Sequence, residues 1–320
     1  MKIFTLTLSQ ILMMFMFIIT GFVLNKIKLL PKNADTTLSK LQINVFFPAQ
    51  LIFTMMTKCT VQTFRENSVL LLYGCILSVV AIAIAYPLAR ILSGNTRGDE
   101  NKTYQKNLLV YALTFGNFGF FGNFLVYELW GFDMLFKYSM FTLPFNLAGY
   151  TWGLCIITPK SNGKMSFKDI LKGVINPPVV GLILGTLMGL TGLYKYVPSF
   201  VNTALENASN CMGPTAMLIA GFVIGNFSTK ELILIKKTYI ISLFRLIIIP
   251  SVMLLVFAAL GVSSEILSFI LIAFAAPVVL VVVFYPAMFG MDNKQTASMV
   301  LVSSVLAVLT LPLMFLIFIR

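Results

Sequence analysis

The sequence predicts an all-α integral membrane protein whose ten transmembrane helices form a 5+5 inverted repeat, with crossed broken helices in spans four and nine. Three observations carry that prediction. Hydrophobic residues make up 58% of the 320-residue chain and the mean hydropathy is +0.93, too apolar for a surface that faces water. Ten apolar runs are long enough, at roughly 20 residues each, to cross a hydrocarbon core. The signature Gly131-Phe132-Asp133 with Ser139-Met140 returns 159 residues later as Gly290-Met291-Asp292 with Ser298-Met299, the mark of a duplicated unit.

The runs lie at about 6–24, 38–57, 68–92, 108–129, 135–157, 174–193, 200–227, 232–260, 266–288 and 297–319. Only short loops and tails separate them, which leaves no room for a soluble catalytic or ligand-sensing domain. The first run is read as a transmembrane helix and not a signal peptide: Lys26, Lys28 and Lys32 follow the apolar stretch instead of preceding it, and no small-x-small cleavage site appears. The two units divide at 1–158 and 170–320. Each contains a proline pair around a polar stretch that leads into an apolar run, Pro31 with Pro48 and Pro198 with Pro214.

A net charge of +12 would suggest nucleic acid in a soluble protein, but the location of the charge excludes it here. Sixteen of the 23 Lys and Arg residues fall in loops after odd-numbered spans, among them Lys26, Lys40, Arg90, Lys106, Lys160, Lys230 and Lys294. Six lie in the tails and the loops after even spans: Lys2, Lys58, Arg65, Lys137, Lys195 and Arg320. This asymmetry places the odd loops in the cytoplasm and both termini outside the cell membrane. Five spans per unit is an odd number, so the second copy enters from the opposite side. Inverted repeats of this kind are a transporter architecture, with the substrate near the midplane where the copies meet.

Helix breakers at mid-span point to that site, because irregular backbone at depth is tolerated only when buried in protein or lining a cavity. Span four carries Gly116, Asn117, Phe118, Gly119, Gly122 and Asn123; span nine carries Ala276-Pro277-Val278. Subtracting the repeat offset from Pro277 lands on residue 118, so the two breaks are related by the duplication. Half-helix N-termini meeting there, each with about half a positive charge, would favour an anion, and Asn117 and Asn123 could donate hydrogen bonds to its carboxylate. The plainer reading is that the three glycines form a close-packing face and Pro277 a kink. Spans two and seven hold Pro48 after Asn44 and Pro214 after Asn207 and Asn210. These either line the pocket from the opposite wall or bend their helices.

Arg245 lies inside span eight, where it either balances a substrate carboxylate or holds carbonyls freed by a neighbouring broken helix, a task suited to its five donors. No Asp or Glu occupies a mid-span position and histidine is absent, so no ionisable proton relay is visible. The simplest mechanism is uniport: an inside-negative potential, worth about 2.3 kcal/mol per charge per 100 mV, drives anions outward unaided. Sodium coupling through Ser303, Ser304 and Thr310 is the alternative, and a channel-like pore a further one. An intramembrane protease would need paired mid-bilayer aspartates or an in-span His pair, and neither exists. Cys59, Cys75, Cys155 and Cys211 have no metal or redox spacing, and no cofactor is expected.

The segments Asn44 to Phe53 (NVFFPAQLIF), Gly116 to Gly131 (GNFGFFGNFLVYELWG), Asn176-Pro177, Pro214 to Gly225 (PTAMLIAGFVIG) and Ala276 to Pro312 (APVVLVVVFYPAMFGMDNKQTASMVLVSSVLAVLTLP) resemble the auxin efflux carrier family, which includes bacterial malate permeases. The resemblance covers essentially the whole chain. It implies a scaffold of spans 1, 2, 6 and 7, a mobile transport domain of spans 3–5 and 8–10, a homodimer, and elevator-like export of small organic acids across the plasma membrane. It also implies that Asn117 and Pro277 hold the crossover positions and that Pro48 and Pro214 form the scaffold wall. The family often has a proline in the fourth-span crossover where this chain has Gly122-Asn123. The basic loop at about 158–172 is shorter than the cytoplasmic loop of many plant members.

Overall fold

The computed structural model describes residues 2–31, 33–96, 98–158, 175–287, 291 and 294–319. These residues are helical almost throughout and form no strand, only one isolated β-bridge. In chain order the helices are α1 (Lys2–Lys26), α2 (Ala34–Leu41), α3 (Phe47–Lys58), α4 (Val61–Ser93), α5 (Glu100–Thr114), α6 (Asn123–Ala148) and α7 (Leu154–Ile157). The second half holds α8 (Pro177–Thr191), α9 (Ser199–Gly225), α10 (Thr229–Ile233), α11 (Lys236–Leu243), α12 (Ile249–Ala259), α13 (Ser264–Ala275), α14 (Val281–Ala287) and α15 (Lys294–Phe318). Large apolar side chains such as Leu72, Val79, Leu255 and Leu309 are exposed on the outer surface, as expected where lipid is the solvent.

Five helical stretches among the described residues are long and apolar enough to cross a membrane by length and composition: Val61–Ser93, Asn123–Ile157, Ser199–Gly225, Lys236–Ala259 and Lys294–Phe318. The protein is a multi-pass membrane protein. Several other expected spans are subdivided. The run expected at 38–57 is split by a π-turn at Gln42–Phe46, and those at 108–129 and 266–288 are interrupted outright. The expected third span, at 68–92, begins earlier, where Thr60 caps α4 by accepting from the backbone N–H of Thr63.

Two of the four π-turns among the described residues have a local cause. Proline lacks an N–H and its ring collides with the carbonyl four residues back. Pro48 and Pro250 each stand just beyond a π-turn, Gln42–Phe46 and Phe244–Ile248, where the wider i→i+5 winding makes room. Pro214, by contrast, stays inside an uninterrupted α9. The signature around Gly131 marks a sharp turn: φ is +80° there, a conformation open to glycine, and α6 changes direction at that point. Of its second copy, Gly290 and Asp292 lie outside the described residues, as does most of the basic loop expected at 158–172.

Glycines let backbones meet where apolar packing alone would not distinguish protein from lipid. On α8, Gly181, Gly185 and Gly189 form a stripe against Pro48, Ile52 and Met55 of α3. Gly21 of α1 faces the Leu218 carbonyl of α9, while Gly221 of α9 faces the Ile18 carbonyl of α1. Replacing Gly221 with Leu drives a side chain into that carbonyl, so we expect a loss of about 1–3 kcal/mol, the usual scale of overpacking. Thermal unfolding in detergent measures it, and a wild-type melting temperature would contradict the close approach.

Candidate functional site: the crossing of two interrupted helices

Helix α5 ends at Thr114 and the chain runs in irregular form through Phe115, Gly116 and Asn117 before a π-turn at Phe118–Gly122 leads into α6. Helix α13 ends at Ala275, and α14 starts only at Val281. The two gaps meet. Gly116 and Val278 form an antiparallel bridge, and the Asn117 N–H donates to the Pro277 carbonyl at 2.8 Å. The Val278 N–H donates to the Ser303 hydroxyl of α15 at 3.0 Å. Backbone groups freed by the breaks are thus satisfied within protein, as the low dielectric demands.

The carboxyl ends of the two halted helices share one partner. Arg245, set in the π-turn Phe244–Ile248 and fully buried, donates to the Leu113 carbonyl at 3.1 Å and to the Ala273 carbonyl at 2.8 Å. Its guanidinium also lies 6.0 Å from the centre of the Phe274 ring. A Cβ on Gly116 would collide with that guanidinium, which explains why the crossing segment carries a glycine there. Arg245 lines none of the cavities described below. Of the two roles the sequence leaves open, the geometry matches the carbonyl clamp.

Beside the crossing lies a niche of about 30 Å³ bordered by Gly116, Asn117, Phe118, Gly119, Val279 and Val281, and by Phe47, Phe145 and Tyr150 from neighbouring elements. Asn117 is 4% exposed and its amide oxygen has no hydrogen-bond partner among the described residues. Ala276, Pro277 and Val278 form the crossing segment itself, while Val279 and Val281 border the niche. The helix that starts at Phe118 begins with N–H groups that no preceding turn can occupy. With the carboxyl ends neutralised by a cation, the remaining partial charge at this end is positive.

Asn123 is placed elsewhere. Its side chain donates to the side-chain Oε1 of Gln50 at 3.1 Å, and Gln50 borders a larger cavity of about 520 Å³ between α1, α3, α6 and α9. Pro214, Asn210, Glu128 and Glu206 border the same cavity. Pro48 does not border it: its backbone lies against Gly181. Asn44 is exposed, donates to the Lys40 carbonyl at 2.6 Å, and borders a third cavity of about 180 Å³ with Ser39 and Lys40. The expected site residues therefore do not converge on one pocket. Gln50 was missed, although an uncharged amide inside the apolar run NVFFPAQLIF is the same signal that singled out the asparagines of span four.

Comparison with curated proteins returned no match. The model of a family described as membrane transport protein matches residues 6–315, nearly the whole chain, and that family is one of transporters, not of enzymes. The chain belongs to the membrane transport protein family, the auxin efflux carrier family.

Proposed function

We propose that this protein is a secondary transporter of small organic anions, working as an elevator-type uniporter for efflux across the plasma membrane. Ten spans in two inverted units supply the frame: α1 with α2–α3, and α8 with α9, as the scaffold, and the remaining helices as the moving body. The packing of α8 on α3 and of α1 on α9 through glycines supports this division. The uneven distribution of Lys and Arg supports cytoplasmic loops after odd spans and external termini.

One observation carries the anion reading. The cation at the crossing is spent on the two helix carboxyl ends, and the amino end beginning at Phe118 borders a niche together with Asn117, whose side-chain oxygen has no partner among the described residues. An amide presents both hydrogens and a carbonyl, so its hydrogens can meet a carboxylate. The Ser303 hydroxyl accepts from the Val278 N–H and donates to the Val300 carbonyl, while the buried Thr310 hydroxyl has no partner among the described residues. The sodium dependence of flux therefore separates uniport from the sodium-coupled alternative. The test is efflux of labelled carboxylates, malate and indole-acetate among them, from proteoliposomes under an imposed inside-negative potential. Expected is saturable flux that competing carboxylates block and that persists without sodium; flux linear in concentration, or strictly sodium-dependent, would contradict the uniport.

A further inference from the structure

The cavity of about 520 Å³ between α1, α3, α6 and α9 shares no bordering residue with the niche at Asn117. We propose that it is a separate site for a small organic ammonium compound. Its volume lies within the roughly 300–1,000 Å³ that small molecules occupy. Helical spacing explains which side chains meet there. Gln50 and Phe53 of α3, Phe124 and Glu128 of α6, and Glu206 and Ser209 of α9 stand three or four positions apart, so each helix turns one face inward.

Two features of that wall point to a ligand. The first is negative charge: Glu128 and Glu206 have no ion pair among the described residues, and neither Lys nor Arg borders the cavity. Lys58 lies over the Phe132 ring but is paired with Asp133. The second is unspent hydrogen bonding at depth, at Gln50, which is 7% exposed, and Ser209, which is 8% exposed. Oε1 of Gln50 accepts from Asn123, which leaves the amide hydrogens of Gln50, like the Ser209 hydroxyl, without a partner among the described residues. Neither group is enclosed by protein, so the open side of each is the cavity.

A protonated amine that also carries an oxygen answers both. Its charge is attracted by the two carboxylates and by the faces of bordering rings, where Phe132 packs against Phe53 at 5.3 Å and Tyr127 at 6.5 Å between centroids. Its oxygen accepts from Gln50 and Ser209. An anion alone meets two negative charges and is repelled. A metal ion is short of ligands, since among the described residues no three Asp, Glu or Cys side chains come together to hold one.

The site stands without the transport reading, and binding alone tests it. Purified full-length protein in detergent, at neutral pH and fixed ionic strength, is titrated with phenylalaninol and with its uncharged N-acetyl derivative, following the melting temperature. We expect saturable stabilisation by the amine and none by the derivative, which keeps the ring and the hydroxyl. Glu128 and Glu206 are exposed, so Glu128→Gln and Glu206→Gln are expected to fold as wild type does. Each should weaken the apparent affinity about tenfold, the scale of one hydrogen bond to a charged group, and Ser209→Ala should weaken it less. Asn117→Ala should leave it unchanged. Equal stabilisation by the derivative, wild-type affinity in both glutamate variants, or no stabilisation by the amine overturns the proposal. Stabilisation lost in Asn117→Ala places the amine at the crossing and overturns it too. Protein that binds the amine as expected yet exports no carboxylate keeps the site and loses only the transport reading.

Discussion

Arg245→Ala is expected to yield little folded protein, and what is recovered should have lost several kcal/mol of stability. The guanidinium is fully buried and serves the Leu113 and Ala273 carbonyls, which lie in the last turns of the two interrupted helices. Each buried acceptor left unpaired costs about 1–3 kcal/mol, and removing the largest of the fully buried side chains leaves a void as well. Lysine is a poor substitute, because a single ammonium lacks the planar fork that reaches two carbonyls at once. Size-exclusion profiles in detergent and the melting temperature report the effect. A variant with normal stability and no transport would instead place Arg245 in the substrate site.

Asn117→Ala should have the opposite character: wild-type folding and a fall in transport of about ten- to a hundredfold, the range for one hydrogen bond to a charged ligand. Folding should hold because the backbone, not the side chain, ties this residue to the crossing, through its N–H to the Pro277 carbonyl. The side-chain oxygen has no partner to lose. Initial rates in proteoliposomes, normalised to folded protein, measure the change. Unchanged rates would remove Asn117 from the site.

The crossing was legible because the 159-residue offset between the two copies of the signature carries one break onto the other. Pro277 minus the repeat offset falls on residue 118, and the structure joins Pro277 to Asn117. The exact break in the first unit was not legible. Gly116, Gly119 and Gly122 all permit irregular backbone, and the chain gives way at Phe115–Asn117, where Arg245 can reach the Leu113 carbonyl. That choice is a tertiary contact across 132 positions of sequence, which no local pattern encodes. The separation of Asn123 from Asn117 has a similar origin. Six residues along a segment that starts as a π-turn, Asn123 faces Gln50 of α3 and not the niche. Pro48 was legible as a breaker, but not as the seat against which Gly181 packs, since that depends on a helix more than a hundred residues away.

The most direct test of the central claim is to locate a carboxylate. A brominated carboxylic acid that the protein transports, diffused into crystals, reveals its position by anomalous scattering. The account predicts a bromine peak beside the niche bounded by residues 116–119 and 279–281, with the carboxylate within hydrogen-bonding distance of the Asn117 amide. Saturating ligand elsewhere in the fold, with the crossing empty and Asn117 still unpartnered, would contradict it.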